Sequence, residues 1–138
     1  MANLARILGL DLGMRRIGVA IAEGDTVASL PTIESDNRDE ALQAILKICR
    51  EEQIDKIVLG LSKNDSGEAE DMVRSFALEL NKNIDVPIVY VDETLTSKEA
   101  ERILKDMKVD PKSKEYKKEV DRISAKLILE QYLNEKKS

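Results

Sequence analysis

Asp11 lies inside the apolar run Leu8-Gly9-Leu10-Asp11-Leu12-Gly13, one carboxylate where a buried strand is expected. A buried carboxylate is costly unless a cation or hydrogen bonds compensate it, so Asp11 calls for a cation. Asp92 and Glu93 end a second apolar run, Pro87-Ile88-Val89-Tyr90-Val91, and Asp121 opens a helical stripe continued by Ala125, Ile128 and Tyr132. If these acids meet, they repel and take up protons unless cations offset them. An all-oxygen donor set selects hard ions, Mg²⁺ or Mn²⁺, which retain waters able to act as nucleophiles. Two such ions about 3.5–4 Å apart stabilise both the attacking and the leaving oxygen of an in-line phosphoryl displacement. Metal-dependent phosphodiester hydrolysis is the chemistry these residue types support best. Arg16, close after Asp11, is placed to contact a phosphate.

The elements that must position these residues follow from the apolar period. Strands are expected over Ile7 to Leu12, over Ile17 to Ala22 beyond a tight turn at Gly13, and over Thr26 to Ile33, where Pro31 suits an edge. A helix from Arg38 to Glu52 has cap candidates in Ser35, Asp36 and Asn37. Ile57 to Leu61 is continuously apolar, as in a strand covered on both faces, and it runs into the polar turn Ser62 to Gly67. Helices are expected over Glu68 to Asn81, from the capping-box spacing Thr96-Ser97-Lys98-Glu99 to Met107, and over Glu115 to Asn134. The order βββαβαβαα predicts an α/β fold: a mixed five-stranded sheet with an antiparallel three-strand start, strands 1, 4 and 5 parallel, flanked by helices. Right-handed crossovers put Asp11, the Ser62 to Gly67 turn and Asp92-Glu93 at the carboxyl ends of the parallel strands, where ligands bind in such sheets.

Several motifs in register carry a family resemblance. Gly9-Leu10-Asp11-Leu12-Gly13 with Arg16-Ile17-Gly18-Val19-Ala20, Val58-Leu59-Gly60-Leu61 with Lys63-Asn64, Asp92-Glu93 with Leu95-Thr96-Ser97, and Asp121 with Ala125, Ile128-Leu129 and Tyr132-Leu133 resemble the YqgF (RuvX) family over nearly the whole chain. The resemblance implies an RNase H-like nuclease domain over residues 1–138, with members described as Holliday junction resolvases and implicated in maturing the 5′ end of pre-16S rRNA. It implies Asp11, Glu93 and Asp121 as the catalytic, metal-binding set, Lys63 and Asn64 as a polar loop near the substrate, and RNA precursor, branched DNA and ribosomal particles as partners. Two positions depart from the family pattern: Thr94 replaces the arginine after Asp-Glu, and Ser62 the proline after Gly-Leu. Threonine does not replace the fork-shaped phosphate donor that the arginine would supply.

Composition bounds the alternatives. With 138 residues and 42% hydrophobic content one domain is expected. Without histidine or tryptophan there is no His base, no Ser-His-Asp triad and no Trp stacking platform. A lone cysteine, Cys49, and no apolar run of membrane-spanning or signal-peptide character lead to an expected cytoplasmic location and no membrane partner. The net charge of −5 is uneven: Lys105 to Lys118 holds six lysines against Asp106, Asp110 and Glu115, which is +3 and leaves −8 elsewhere. That segment reads as a solvated mobile loop which, if it binds, does so through phosphates and with strong salt dependence. Bland readings stand beside the sharp ones: Asp11 as a turn cap, Asp92 and Glu93 as helix-N-terminal charges, Asp121 as a surface residue. Two other functions stay open. One is a non-catalytic RNA-binding or ribosome-assembly factor, indifferent to Asp11→Asn. The other is an actin-like ATPase, for which no second glycine-rich acidic hairpin is present. Monomer and homodimer are both compatible with the residues; a homodimer suits a junction.

Overall fold

The computed structural model describes residues 4–61, 67–92 and 96–137. The elements are β1 (Arg6–Leu12), β2 (Arg16–Glu23), β3 (Thr26–Glu34), α1 (Arg38–Glu51), β4 (Lys56–Leu61), α2 (Gly67–Asn83), β5 (Ile88–Asp92), α3 (Thr96–Asp106) and α4 (Lys114–Lys137). The sheet order is β3-β2-β1-β4-β5, with β1 antiparallel to β2, β2 antiparallel to β3, and β1, β4 and β5 parallel. This is the predicted mixed sheet, with β3 at an edge. Lys63, Asn64 and Glu93 lie outside the described residues, as do Ser62 and Thr94.

Alternation along the strands divides the core. Leu8, Leu10 and Leu12 of β1, Ile17 and Val19 of β2, and Ile57, Leu59 and Leu61 of β4 pack with Leu42, Ile45 and Leu46 of α1 and Val73, Phe76 and Leu80 of α2. The opposite face carries Ala20, Ala22, Val58 and Val91 under Ala125, Ile128, Leu129 and Tyr132 of α4. Each large side chain so buried contributes about 1.5–3 kcal/mol. The predicted stripe on the last helix therefore faces the sheet. It can come close because the floor beneath it is small: a Cβ at Gly9 would lie 2.5 Å from Leu129 Cγ, and one at Gly18 would strike the Asp121 backbone.

Asn37 caps α1, accepting from the Asp39 and Glu40 N–H groups at 2.9 and 3.2 Å. The lysine-rich connection falls where it is expected, between α3 and α4 over residues 107–113, and it is built of hydrogen-bonded turns. After α3 the Lys108 N–H donates to the Lys105 carbonyl and the Val109 N–H to the Leu104 carbonyl, a Schellman end with Lys108 at φ 61°. The Asp110 carboxylate then accepts from the Lys112 N–H at 2.9 Å, and Ser113 Oγ from the Tyr116 N–H at 3.2 Å, so α4 starts at Lys114. Lys114 to Lys118 are helical.

Candidate active site

Asp11 stands on the α4 side of β1, in alternation with Ile7 and Gly9. Its register partner on β2 is Gly18, and the backbone of Asp121 rests on Gly18. Three local features of sequence thus bring two acids 110 positions apart to one place: the strand parity of Asp11, a residue without a side chain opposite it, and the turn of α4 that begins its buried stripe. Asp121 retains 21% of its side-chain exposure and accepts a hydrogen bond from Arg16 Nε at 3.0 Å. Arg16 shares the α4 face of β2 with Gly18 and Ala20. Burial pushes the Asp121 carboxyl above its ordinary range; the Arg16 hydrogen bond and charge pull it down, and Glu34 pushes it up.

Glu34 reaches this neighbourhood through a bulge. Ile17 pairs with Ile33 but Val19 with Leu30, so Pro31 and Thr32 stand opposite Gly18 alone. The extra residue reverses the alternation of β3, as bulges do. Thr32 then meets α4, donating to the Lys118 carbonyl at 3.4 Å, while Ile33 turns to the other core. Glu34, opposite Arg16, lies 3.7 Å from Lys118 Nζ. Sequence reasoning missed Glu34 and Lys118 here; Pro31 inside a strand was the signal, read only as an edge marker.

The predicted site residues divide as follows. Asp11, Arg16 and Asp121 come together. Glu93, Lys63 and Asn64 lie outside the described residues, and among the described residues no three acidic, histidine or cysteine side chains gather closely enough for a metal. Asp92 does not join Asp11: it alternates with Ile88, which packs in the α1–α2 core, and with Tyr90, whose ring lies 4.9 Å from the Arg74 guanidinium of α2. Strand parity turns it to the opposite face. Arg15, exposed, pairs with Asp36 at 3.5 Å. The donors at Asp11 and Asp121 are carboxylate oxygens, which fit a hard cation that takes one or two carboxylates and completes its shell with water and substrate phosphate.

The fold that carries this site recurs in solved structures. The chain superposes on Thermus thermophilus RuvC in complex with a Holliday junction with a TM-score of 0.63 at 11% identity, covering 97% of this chain and 98% of that one. It superposes on the Fowlpox virus resolvase in complex with Holliday junction DNA with a TM-score of 0.55 at 15% identity, covering 95% and 97%. These likenesses show an RNase H-like, RuvC-type fold. Curated relatives from Roseiflexus sp. and Clostridium acetobutylicum, both named "Putative pre-16S rRNA nuclease", are 37% identical over 134 residues, covering 94% of this chain and 94% and 98% of theirs. The model of the family described as "RuvX: Holliday junction resolvase" matches residues 5–135, and the chain belongs to that family.

Proposed function

We propose that the protein is a nuclease that hydrolyses phosphodiester bonds in nucleic acid, with Asp11, Asp121 and Glu93 as its divalent-metal ligands. The observation that carries this reading is the seating of Asp121 on Gly18, the register partner of Asp11, on the helix-covered face of the sheet. Glu93 directly follows Asp92, the last residue of β5, in the sequence. Mg²⁺ or Mn²⁺ held by these acids supplies Lewis acidity to the attacking and leaving oxygens. Arg16 holds Asp121 in place through its Nε–H and opposes the effect of burial on its carboxyl, and its remaining guanidinium N–H groups serve a substrate phosphate. Lys63 and Asn64, in the segment after β4, complete the substrate contacts.

The names of the relatives support a precursor of 16S rRNA as substrate, with ribosomal particles as the setting; the Holliday junction bound by Thermus thermophilus RuvC supports a branched DNA. We assign the protein to the cytoplasm: no helix among the described residues is long and apolar enough to cross a membrane. The test is cleavage of a labelled single-stranded RNA and a four-way DNA junction, with Mg²⁺ or Mn²⁺, by wild-type and Asp11→Asn protein. Metal-dependent products lost in the variant support the nuclease; absence of products from folded wild-type protein on both substrates contradicts it and leaves the binding-factor reading.

A further inference from the structure

We propose that the α3–α4 turn and the first turns of α4 form an arm that grips the sugar-phosphate backbone of a nucleic-acid strand flanking the scissile bond; this rests on the nuclease reading above. Lys105, Lys108, Lys112, Lys114 and Lys117 are all exposed, and among the described residues none has a carboxylate within ion-pair distance. With Lys118 they outnumber Asp106, Asp110 and Glu115, a local excess of +3 on a chain whose net charge is −5. Its position relative to the site is fixed. Lys118, Lys117 and Lys114 precede Asp121 by three, four and seven residues, so they share its stripe of α4. At about 1.5 Å per residue, Lys114 stands roughly 10 Å along the helix axis from the catalytic acid.

The helix carrying them is anchored where it meets the sheet. Thr32 and Ser29 donate to the Lys118 and Arg122 carbonyls, Lys118 pairs with Glu34, and Gly18 admits the Asp121 backbone. The turn before it is ordered by the Asp110 and Ser113 bonds and holds Lys108 in the left-handed region, where glycine would be easier. A lysine kept at a strained position, beside four others that have no ion-pair partner there, points to a use for its charge. Lysine ammonium groups meet phosphates as point charges and read no base edges, so the grip is independent of sequence and sensitive to salt.

The test is fluorescence anisotropy across a salt series with two probes, a fluorescein-labelled single-stranded RNA and a labelled four-way DNA junction. The parent carries Asp11→Asn so that bound strands stay intact. The arm variant adds Lys108→Gly, Lys112→Gln, Lys114→Gln and Lys117→Gln; a control adds Lys47→Gln and Lys82→Gln on α1 and α2, on the far face. The arm variant is expected to melt close to the parent, because the changed side chains are exposed and Lys108→Gly relieves the positive φ. Its log K against log salt slope is expected to be shallower than the parent's by roughly 2–3, with the control unchanged. A loss on RNA alone or on the junction alone supports the arm and identifies which backbone it holds. A variant that keeps the parent's slope on both probes overturns the arm and leaves the nuclease reading standing. A folded parent that binds neither probe overturns both.

Discussion

Gly18→Ala is the sharpest perturbation of the geometry at the site. A Cβ there would stand 2.6 Å from the Asp121 carbonyl carbon and 3.3 Å from its Cα, so it meets the backbone of a helix that cannot rotate away as a side chain can. Overpacking of this kind costs about 1–3 kcal/mol. A clash with backbone sits in the upper half of that range, about 2–3 kcal/mol, and alanine recovers up to about 1 kcal/mol over glycine in a strand, which leaves a net loss of about 1–2 kcal/mol. For a chain of 138 residues the entropy of unfolding is about 0.3 kcal/mol per degree, so Tm falls by roughly 3–7 °C. The loss of metal-dependent cleavage, measured well below that Tm, should exceed the loss of folded protein, because Asp121 is carried away from Asp11. Gly9→Ala first meets the Leu129 side chain, not backbone, and should lower Tm while leaving cleavage per folded molecule intact. Wild-type Tm and wild-type cleavage in Gly18→Ala would refute the placement of Asp121.

Three further outcomes are expected. Asp121 has a carboxyl raised by burial in the folded state, so the wild-type fold binds the proton more tightly than the unfolded chain and loses stability as pH rises from the unfolded value of about 3.9. Asp121→Asn should therefore melt at or above wild type at pH 7, with the difference closing in acid, while cleavage is lost; a large drop in Tm would contradict this. Gln53, at φ 53° after α1, should yield about 0.5–1 kcal/mol of added stability when changed to Gly, read as a denaturation midpoint. Leu104→Ala, in a fully buried position of α3, should cost about 2–5 kcal/mol.

The element order was legible because each change from alternating or continuous apolar runs to helical spacing coincided with turn residues, and Pro31 marked the edge strand. Asp11 stood out in the sequence as a candidate because a carboxylate in an apolar strand has few structural uses. The rest depended on contacts between distant segments. Whether Asp92 shares a face with Asp11 is a matter of parity, and one residue of register reverses it. The bulge at Pro31 and Thr32 redirects Glu34 by the same arithmetic. Arg16 invited a phosphate reading, and its partner Asp121 lies 105 positions away. The break between the last two helices was legible from Pro111, whereas its turn geometry was not, because left-handed lysine is uncommon and the turns depend on the Asp110 and Ser113 side chains.

If Asp11 and Asp121 serve one metal site and Asp92 does not, the three carboxylates must differ in their effect on metal affinity. Mn²⁺ binding, measured by calorimetry with a nonhydrolysable oligonucleotide present, separates them on wild type, Asp11→Asn, Asp121→Asn and Asp92→Asn. Both single changes at Asp11 and Asp121 are expected to abolish or greatly weaken binding in folded protein, while Asp92→Asn retains it. Undiminished Mn²⁺ binding by Asp11→Asn or Asp121→Asn, or loss of binding in Asp92→Asn alone, would contradict the shared site.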